Sequence, residues 1–434
     1  MMPSVGLYTL GCKVSLYETE AITEAFRREG FRILPFGEVC DVYVINTCTV
    51  TAESDAKSRK YIRRAIRSNP DAVVIAIGCY TQRAPEEVLG IDGVRAVIGT
   101  DGKLSAVDIA KKLLADKEAP ATSTVAPLDG VPFEPMTVTD APRTRAYVKI
   151  EDGCECKCSY CAISPARGPV RSKPIDDVIA EVEGLSALGT KEIVLTGIET
   201  GSYGSDLGMR EGLAELLEAL SLRGSAERIR LGSMAPELLS EKFIDRVAHL
   251  PILVPHFHIS MQSGSDKILR LMRRRYSYGM AMNNIKRIRT LMPRVMLTAD
   301  LMVGFPTEDD SDFLDTVRFV QEAELLDAHV FAYSKRKGTP AADFDGQIPE
   351  EIKKERSASL IRAVRESRDR MLGAVVERGE LLPTVFETRR GNSLVGHSDS
   401  YIEVEVRCSR DLRGELCTVL PEYFSDGKIY GKLI

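Results

Sequence analysis

The chain has 434 residues, 44% hydrophobic and 28% charged, with a formal net charge of -5. These values exclude a disordered or fibrous protein and leave enough chain for roughly two to four domains with a large buried core. The N-terminus lacks the charged start and long apolar run of a signal peptide, and no stretch approaches membrane-spanning length, so a cytoplasmic protein with no membrane partner is expected.

Apolar runs at residues 5–10, 41–46 and 72–77 alternate with helical patterns at 18–29 and 53–68, which Gly30 and Asn69-Pro70 terminate. This β-α-β-α-β rhythm predicts an N-terminal parallel α/β sheet domain with right-handed crossovers over residues 1–120. A segment rich in Ala, Thr, Pro and acids, from about Lys117 to Arg143, has neither periodicity, and residues 121–143 read as a linker. Six candidate strands follow, at 146–150, 192–196, 228–231, 256–261, 295–303 and 328–333, separated by helical stretches. That spacing suits an incomplete (β/α)6 barrel over residues 144–370. A charged helix runs from Pro349 to about Leu372. Five short strands at 385–388, 393–396, 402–407, 415–420 and 428–433 then predict a small all-β barrel of the oligonucleotide-binding kind over 371–434. The fold class expected is α/β, with this small barrel appended.

In a reducing compartment the ten cysteines are expected as ligands or small buried hydrophobes. Cys154, Cys158 and Cys161 crowd three thiols into one loop after the expected strand at 146–150. Thiols this close pair in disulfides only with strain, but each can take a different iron of one iron-sulfur cubane, leaving one iron open to bind and reduce something. Cys12, Cys48 and Cys79 each end an expected strand, so in a parallel sheet they share the carboxyl edge, where such folds place ligands. One such cysteine is most often a buried thiol. Three at one edge point to a second cluster with three protein ligands. Cys40, Cys408 and Cys417 lack companions at ligand spacing and are assigned to packing, while spacing leaves open whether Cys156 can substitute as a ligand.

Thr196-Gly197, Gly232-Ser233, Gln262-Ser263-Gly264 and Gly304-Phe305-Pro306 fall where strands of the second region finish. In a β/α barrel that face builds the active site. Glycines let the backbone approach a ligand, and Ser233 and Gln262 can hydrogen-bond a polar cofactor. Any one of these glycines alone could be turn chemistry, but their joint position favours binding. The chain is acidic overall, yet Lys60, Arg63, Arg64 and Arg67 share one face of the helix expected after Cys48. That makes them candidate RNA contacts, although such a stripe is also what a solvated face looks like. Residues 273–275, 335–337 and 389–390 are further basic clusters.

The Cys-x3-Cys-x2-Cys motif with Tyr160 before its last cysteine resembles the radical S-adenosylmethionine (SAM) enzymes. The whole chain resembles their methylthiotransferase branch, on Leu10-Gly-Cys-Lys-Val-Ser-Leu-Tyr-Glu-Thr19, Val44-Ile-Asn-Thr-Cys-Thr-Val50, Ile77-Gly-Cys79, Glu192-Ile-Val-Leu-Thr-Gly197, Ile259-Ser-Met-Gln-Ser-Gly-Ser-Asp266 and Val303-Gly-Phe-Pro306. Lys13, Val14 and His329-Val-Phe-Ala-Tyr-Ser334 look most like the members acting on threonylcarbamoyladenosine in tRNA. Ser15, Thr307 and Cys156 depart from the family pattern without removing a ligand.

The resemblance implies a radical-SAM barrel and a C-terminal TRAM domain. It implies a 4Fe-4S cluster on Cys154, Cys158 and Cys161 whose open iron chelates S-adenosylmethionine, with Tyr160, Thr196, Gly197, Ser233 and Gln262 near that cofactor. A deoxyadenosyl radical would take hydrogen from carbon 2 of N6-threonylcarbamoyladenosine just 3′ of the anticodon. A second 4Fe-4S cluster on Cys12, Cys48 and Cys79 would supply or carry the sulfur, methylated by a second S-adenosylmethionine. No catalytic residue beyond the cluster ligands is implied. The partners implied are a tRNA anticodon stem-loop and an electron donor such as flavodoxin or ferredoxin, with the enzyme a monomer. The alternatives are methylthiolation of isopentenyladenosine in tRNA or of a ribosomal-protein aspartate, and a non-catalytic two-cluster electron carrier, which would not cleave S-adenosylmethionine.

Overall fold

The computed structural model describes residues 2–140 and 144–434. Two compact units emerge. The first contains the chain up to Thr139 together with Tyr147–Lys173 and Ser334–Ala342; the second contains Pro174–Tyr333, Asp343–Ile434 and the residues just before Tyr147.

In the first unit β1 (Ser4–Thr9), β2 (Arg32–Leu34), β3 (Val42–Thr47), β4 (Val73–Gly78), β5 (Val94–Ile98) and β6 (Thr122–Ser123) form a parallel sheet in the order β2-β1-β3-β4-β5-β6. β3 and β4 are buried at every position, which is why they read as continuous apolar runs. Alternate residues of β3 serve two cores. Val42 and Val44 pack with Tyr17 and Phe26, and Tyr43 and Ile45 pack with Ile62 and Tyr80. Helix α1 (Lys13–Arg28) follows β1, and α2 (Ala52–Ser68) opens on Thr51, whose side chain accepts the Ser54 N–H.

The expected rhythm named β1, β3 and β4, whereas β2, β5 and β6 widen the sheet. At three and two residues, β2 and β6 are too short to carry a periodic signal. The segment expected as a linker is tied down where it is described. It contributes β6, buries Met136 and Val138 in a core, and its Met136 carbonyl accepts the Tyr17 hydroxyl at 2.7 Å and the Lys173 ammonium at 2.9 Å. Residues 141–143 of that expectation lie outside the described residues.

β7 (Arg145–Lys149) leads to the cysteine loop, whose stem is the antiparallel pair β8 (Glu151–Asp152) and β9 (Arg171–Ser172). In the second unit β10 (Glu192–Thr196) pairs in parallel with β11 (Arg228–Leu231). After Gly232, β12 (Ser233–Met234), β13 (His256–Gln262), β14 (Met296–Val303) and β15 (Asp327–Ala332) continue in parallel and in sequence order, as an incomplete β/α barrel requires. The charged helix extends over Glu350–Glu377. Beyond it β16 (Leu382–Arg390), β17 (Ser393–Ser398), β18 (Glu403–Arg407), β19 (Leu416–Ser425) and β20 (Lys428–Leu433) close into a five-stranded barrel around Phe386, Leu394, Val404 and Val419.

Fully buried Glu192 anchors the second unit. Arg230 donates to both of its oxygens, at 2.7 and 2.9 Å, and Arg145 and Arg228 lie at 3.6 and 3.9 Å. Arg230 also donates to the Ser398 and Asp399 carbonyls at 3.1 Å, joining the strand arc to the small barrel. Replacing Glu192 with Ala removes the carboxylate that buried Arg230 donates to and that Arg145 and Arg228 approach, and the expected loss is about 3–5 kcal/mol. Thermal unfolding followed by circular dichroism checks this, with a midpoint equal to wild type as the contrary result.

Candidate cluster and cofactor site

In the parallel register, Thr9 lies opposite Asn46 and Thr47 opposite Gly78. Cys48 and Cys79 are therefore the next residues on neighbouring strands. The Leu10 N–H donates to the Asn46 carbonyl at 2.8 Å, which carries β1 on to Gly11 and Cys12. A Cβ on Gly11 would lie 3.4 Å from the Cys48 sulfur, so the turn before Cys12 runs against Cys48. Strand order reverses at this edge, since the chain passes from β1 to β2 on one side and then to β3 on the other. Doubly wound sheets open their ligand crevice at such a point. Gly78 holds φ +102, and a Cβ there would meet the Asn46 amide oxygen at 2.5 Å, so the approach to Cys79 requires glycine.

Cys12 is exposed, Cys48 half-buried and Cys79 buried. Burial pushes the Cys79 thiol up to about 12, against the pull of the Arg167 guanidinium, and the charges of Cys12 and Cys48 add to the rise. The Cys48 thiol is likewise raised, chiefly by burial.

The second trio sits on a loop closed on itself. Cys154 N–H donates to the Gly168 carbonyl at 3.0 Å, and the Ser164 hydroxyl donates to the Cys154 carbonyl at 2.7 Å. The Cys161 sulfur accepts backbone N–H groups from Ile163 at 3.3 Å and Ser164 at 3.4 Å, contacts that suit a thiolate ligand. Cys158 is buried, and Cys156 and Tyr160 are half-buried. The ten cysteines are thiols. Among the described residues, no three of His, Cys, Asp and Glu close around one point as they would for a single bound ion. A cubane makes a different demand from a single ion, since each thiolate takes its own iron.

Between the trios lies a group of buried charges that the sequence reading missed. Arg167 is wholly buried and donates through Nη1 to Glu18 at 2.6 Å and to Asp152 at 3.0 Å. Its Nε donates to the Cys79 sulfur at 3.1 Å. Lys149 reaches Glu18 at 3.0 Å and Asp152 at 2.6 Å, and Lys103 reaches Glu18 at 3.1 Å. Burial alone would raise the Glu18 carboxyl, but Arg167 and the two lysines hold it well below the usual range. Asp152 is opposed by burial in the same way and is held at about 2, chiefly by Arg167 and Lys149. The one sequence signal was Lys149, a charge within the apolar run expected as the strand at 146–150.

In the second unit Thr196 ends β10 and Gly197 follows it, Ser233 lies two residues past the end of β11 and opens β12, and Gln262 ends β13. A register shift before Gln262 puts its backbone at φ +64, and its buried amide oxygen has no hydrogen-bond partner. A strained residue with an orphaned acceptor is what a polar ligand with a donor group would satisfy. Glu199, just past Gly197, is also buried and accepts the Ala235 N–H at 3.1 Å. An acid at a strand end was the signal for it.

Comparison with known proteins identifies the family. The radical SAM superfamily model matches residues 148–320, and that of the uncharacterized protein family UPF0004 matches residues 4–99. The threonylcarbamoyladenosine tRNA methylthiotransferase MtaB of Bacillus subtilis is 38% identical over 433 residues, covering 96% of this chain and 93% of that one. Its counterpart in Thermotoga maritima is 34% identical over 405 residues, covering 93% and 91%. The chain belongs to the radical SAM methylthiotransferase family. Within the family, the tRNA-2-methylthio-N(6)-dimethylallyladenosine synthase of Methylacidiphilum infernorum is 33% identical over 392 residues, covering 87% and 84%. A radical S-adenosylmethionine methyltransferase, TsrM, from Kitasatospora setae shares the fold, with a TM-score of 0.57 at 17% identity over 79% of this chain and 77% of that one. Membership brings S-adenosylmethionine and a 4Fe-4S cluster as cofactors of this methylthiotransferase. No helix among the described residues is long and apolar enough to cross a membrane.

The basic stripe of the methylthiotransferase is exposed at Lys60, Arg63, Arg64 and Arg67. Arg63 and Arg67, with Arg59, line a groove of about 680 Å³ whose other wall includes Glu87 and Asp92, while Arg64 lies over the Phe36 ring at 6.0 Å. The other basic clusters are partly committed within the fold. Arg336 is buried and donates to Thr49 at 2.7 Å and Asp55 at 2.6 Å, and Arg389 donates to the Cys408 and Ser409 carbonyls.

Gly153 holds φ +91, and a Cβ there would sit 1.8 Å from the Pro169 carbonyl oxygen. In a Gly153→Ala variant the stem of the loop must open. Faster proteolytic cleavage between residues 153 and 170 than in wild type is expected, and an unchanged cleavage pattern would contradict the clash.

Proposed function

We propose that this chain methylthiolates carbon 2 of N6-threonylcarbamoyladenosine next to the anticodon of tRNA, giving the 2-methylthio derivative. The observation that carries this reading is a structural pairing. Three cysteines at the carboxyl ends of adjacent parallel strands lie in the same compact unit as the Cys154–Cys161 loop, in a chain of the methylthiotransferase family. Cys154, Cys158 and Cys161 would hold the radical-generating 4Fe-4S cluster, and Cys12, Cys48 and Cys79 a second one. Tyr160, Thr196, Gly197, Ser233 and Gln262 would contact S-adenosylmethionine, with the orphaned Gln262 oxygen accepting from its polar end. When bound, cluster and S-adenosylmethionine supply a deoxyadenosyl radical able to take hydrogen from an adenine carbon.

The chain's own residues then have three tasks. The thiols and the buried charges around Glu18 fix the two trios relative to one another. Apolar packing on both faces of the first unit's sheet would hold the strand ends that carry the Cys12, Cys48 and Cys79 thiols. The Lys60, Arg63, Arg64 and Arg67 face would meet phosphates of the anticodon stem-loop, and the five-stranded barrel would add RNA contacts. A monomer in the cytoplasm, reduced by a donor such as flavodoxin or ferredoxin, completes the proposal.

Mass spectrometry of tRNA nucleosides from cells with and without the gene tests the substrate. Loss of the 2-methylthio derivative of threonylcarbamoyladenosine is the expected result. Loss of the isopentenyladenosine derivative instead, the activity named for the M. infernorum relative, would transfer the chain to that substrate. Anaerobic reconstitution should give about eight irons per chain, falling to about four in a variant with Cys12, Cys48 and Cys79 all replaced by Ala. Replacing Arg63, Arg64 and Arg67 together should weaken tRNA binding and flatten its log-log salt dependence by about 0.7–0.9 for each phosphate no longer neutralised. An unchanged slope would remove α2 from the interface.

A further inference from the structure

Arg167 belongs to neither cysteine trio, yet it touches one and is built into the loop of the other. Its Nε–H points at the Cys79 sulfur at 3.1 Å, and its Nη1 is shared by Glu18 at 2.6 Å and Asp152 at 3.0 Å. Nη2 adds a longer contact to Glu18 at 3.4 Å. The guanidinium is fully buried, so water does not screen it. Arg167 ends the short helix Ile163–Arg167 that follows Cys161, and the next residue, Gly168, accepts the Cys154 N–H. Asp152 lies two residues before Cys154. One planar side chain thus spans from a sulfur of the first trio to the frame of the second, in a geometry that three separate acceptors determine.

We propose that Arg167 is a positioning residue that seats Cys79 against the Cys154–Cys161 loop and makes the cluster on Cys12, Cys48 and Cys79 easier to reduce. This rests on the two-cluster reading above. The physics is direct. A hydrogen bond and a fixed positive charge at a ligand sulfur favour the more negative, reduced state of a cluster, and both are established determinants of cluster potential. The carboxylates do not cancel this effect. Glu18 is shared with Lys103 and Lys149, Asp152 with Lys149, and the guanidinium is the group that faces the sulfur.

The test uses full-length protein with Cys154, Cys158 and Cys161 replaced by Ala, so that any cubane bound reports the other trio alone. If this parent binds no cluster after anaerobic reconstitution, the two-cluster reading fails, and Arg167 with it. If it binds one, Arg167→Lys and the pair Arg167→Met with Glu18→Gln are compared with it by redox titration followed by electron paramagnetic resonance. Lysine keeps the charge and preserves folding, but one ammonium cannot serve Cys79, Glu18 and Asp152 together. The double variant removes the cation and one of its counter-charges. The reduction equilibrium is expected to fall at least tenfold in the double variant, about 59 mV for one electron, with a smaller fall for lysine and an altered resonance line shape in both. Midpoints and line shapes matching the parent would overturn the proposal. Should the double variant fail to fold, the lysine variant alone decides, because a residue needed only for stability would leave its spectrum and midpoint unmoved.

Discussion

A carboxylate with no access to water holds the first unit together. Glu18 takes hydrogen bonds or ion contacts from Arg167, Lys103 and Lys149, which come from a helix, a turn and a strand distant in sequence. Burying an ion costs several kcal/mol unless geometry and partners are nearly complete, so this arrangement tolerates little displacement of any member. Glu18 lies on the helix that begins right after Cys12, Lys149 and Asp152 precede Cys154, and Arg167 follows Cys161. Both sets of thiols are therefore measured from the same few charges. Hydrophobic packing of similar volume could stabilise the unit as well, but it would not orient a guanidinium toward a sulfur.

Parallel sheets supply the other half of the design. Because every strand of the first unit's sheet runs the same way, residues that follow strand ends gather at one edge regardless of their distance along the chain. Positions 12, 48 and 79 exploit this. The second unit repeats the logic with Thr196, Ser233 and Gln262. There the loss of regular register at β13 turns Gln262 into a conformation that few non-glycine residues adopt. Order of strands, more than local motif, brings the chemistry together.

Much of this was legible in the sequence. Long buried strands announced themselves as Val- and Ile-rich runs, and β10 and β11 came within a residue of their expected ends because apolar periodicity marks a buried strand well. The trios at residues 12, 48 and 79 and at 154, 158 and 161 followed from strand-end logic and from spacing. What stayed hidden had physical causes. β2 and β6 exist because the neighbouring strands offer unpaired backbone groups, a condition set by the tertiary structure. The stretch around Met136 looked like a tether since its anchoring is made by a tyrosine hydroxyl and a lysine ammonium from far along the chain. Arg167, Glu18 and Lys103 carry no local signal in the sequence; only in three dimensions does each find its counter-ion indoors. Arg336 misled in the same way, appearing as part of a basic cluster while serving Thr49 and Asp55.

That last contact has a bearing on how the polypeptide can be made. The first unit begins with residues that leave the ribosome early, yet it is completed by Ser334–Ala342, in which Arg336 grips the loop and helix after β3 and Lys337 offers its carbonyl to Arg83. Until that stretch is synthesised, Asp55 lacks the Arg336 guanidinium that pairs with it and Thr49 lacks the shorter of its two arginine contacts. Completion of the N-terminal sheet edge thus waits on translation of nearly the entire strand arc, and a truncated product ending before that stretch would leave Asp55 without Arg336 and Arg83 without the Lys337 carbonyl.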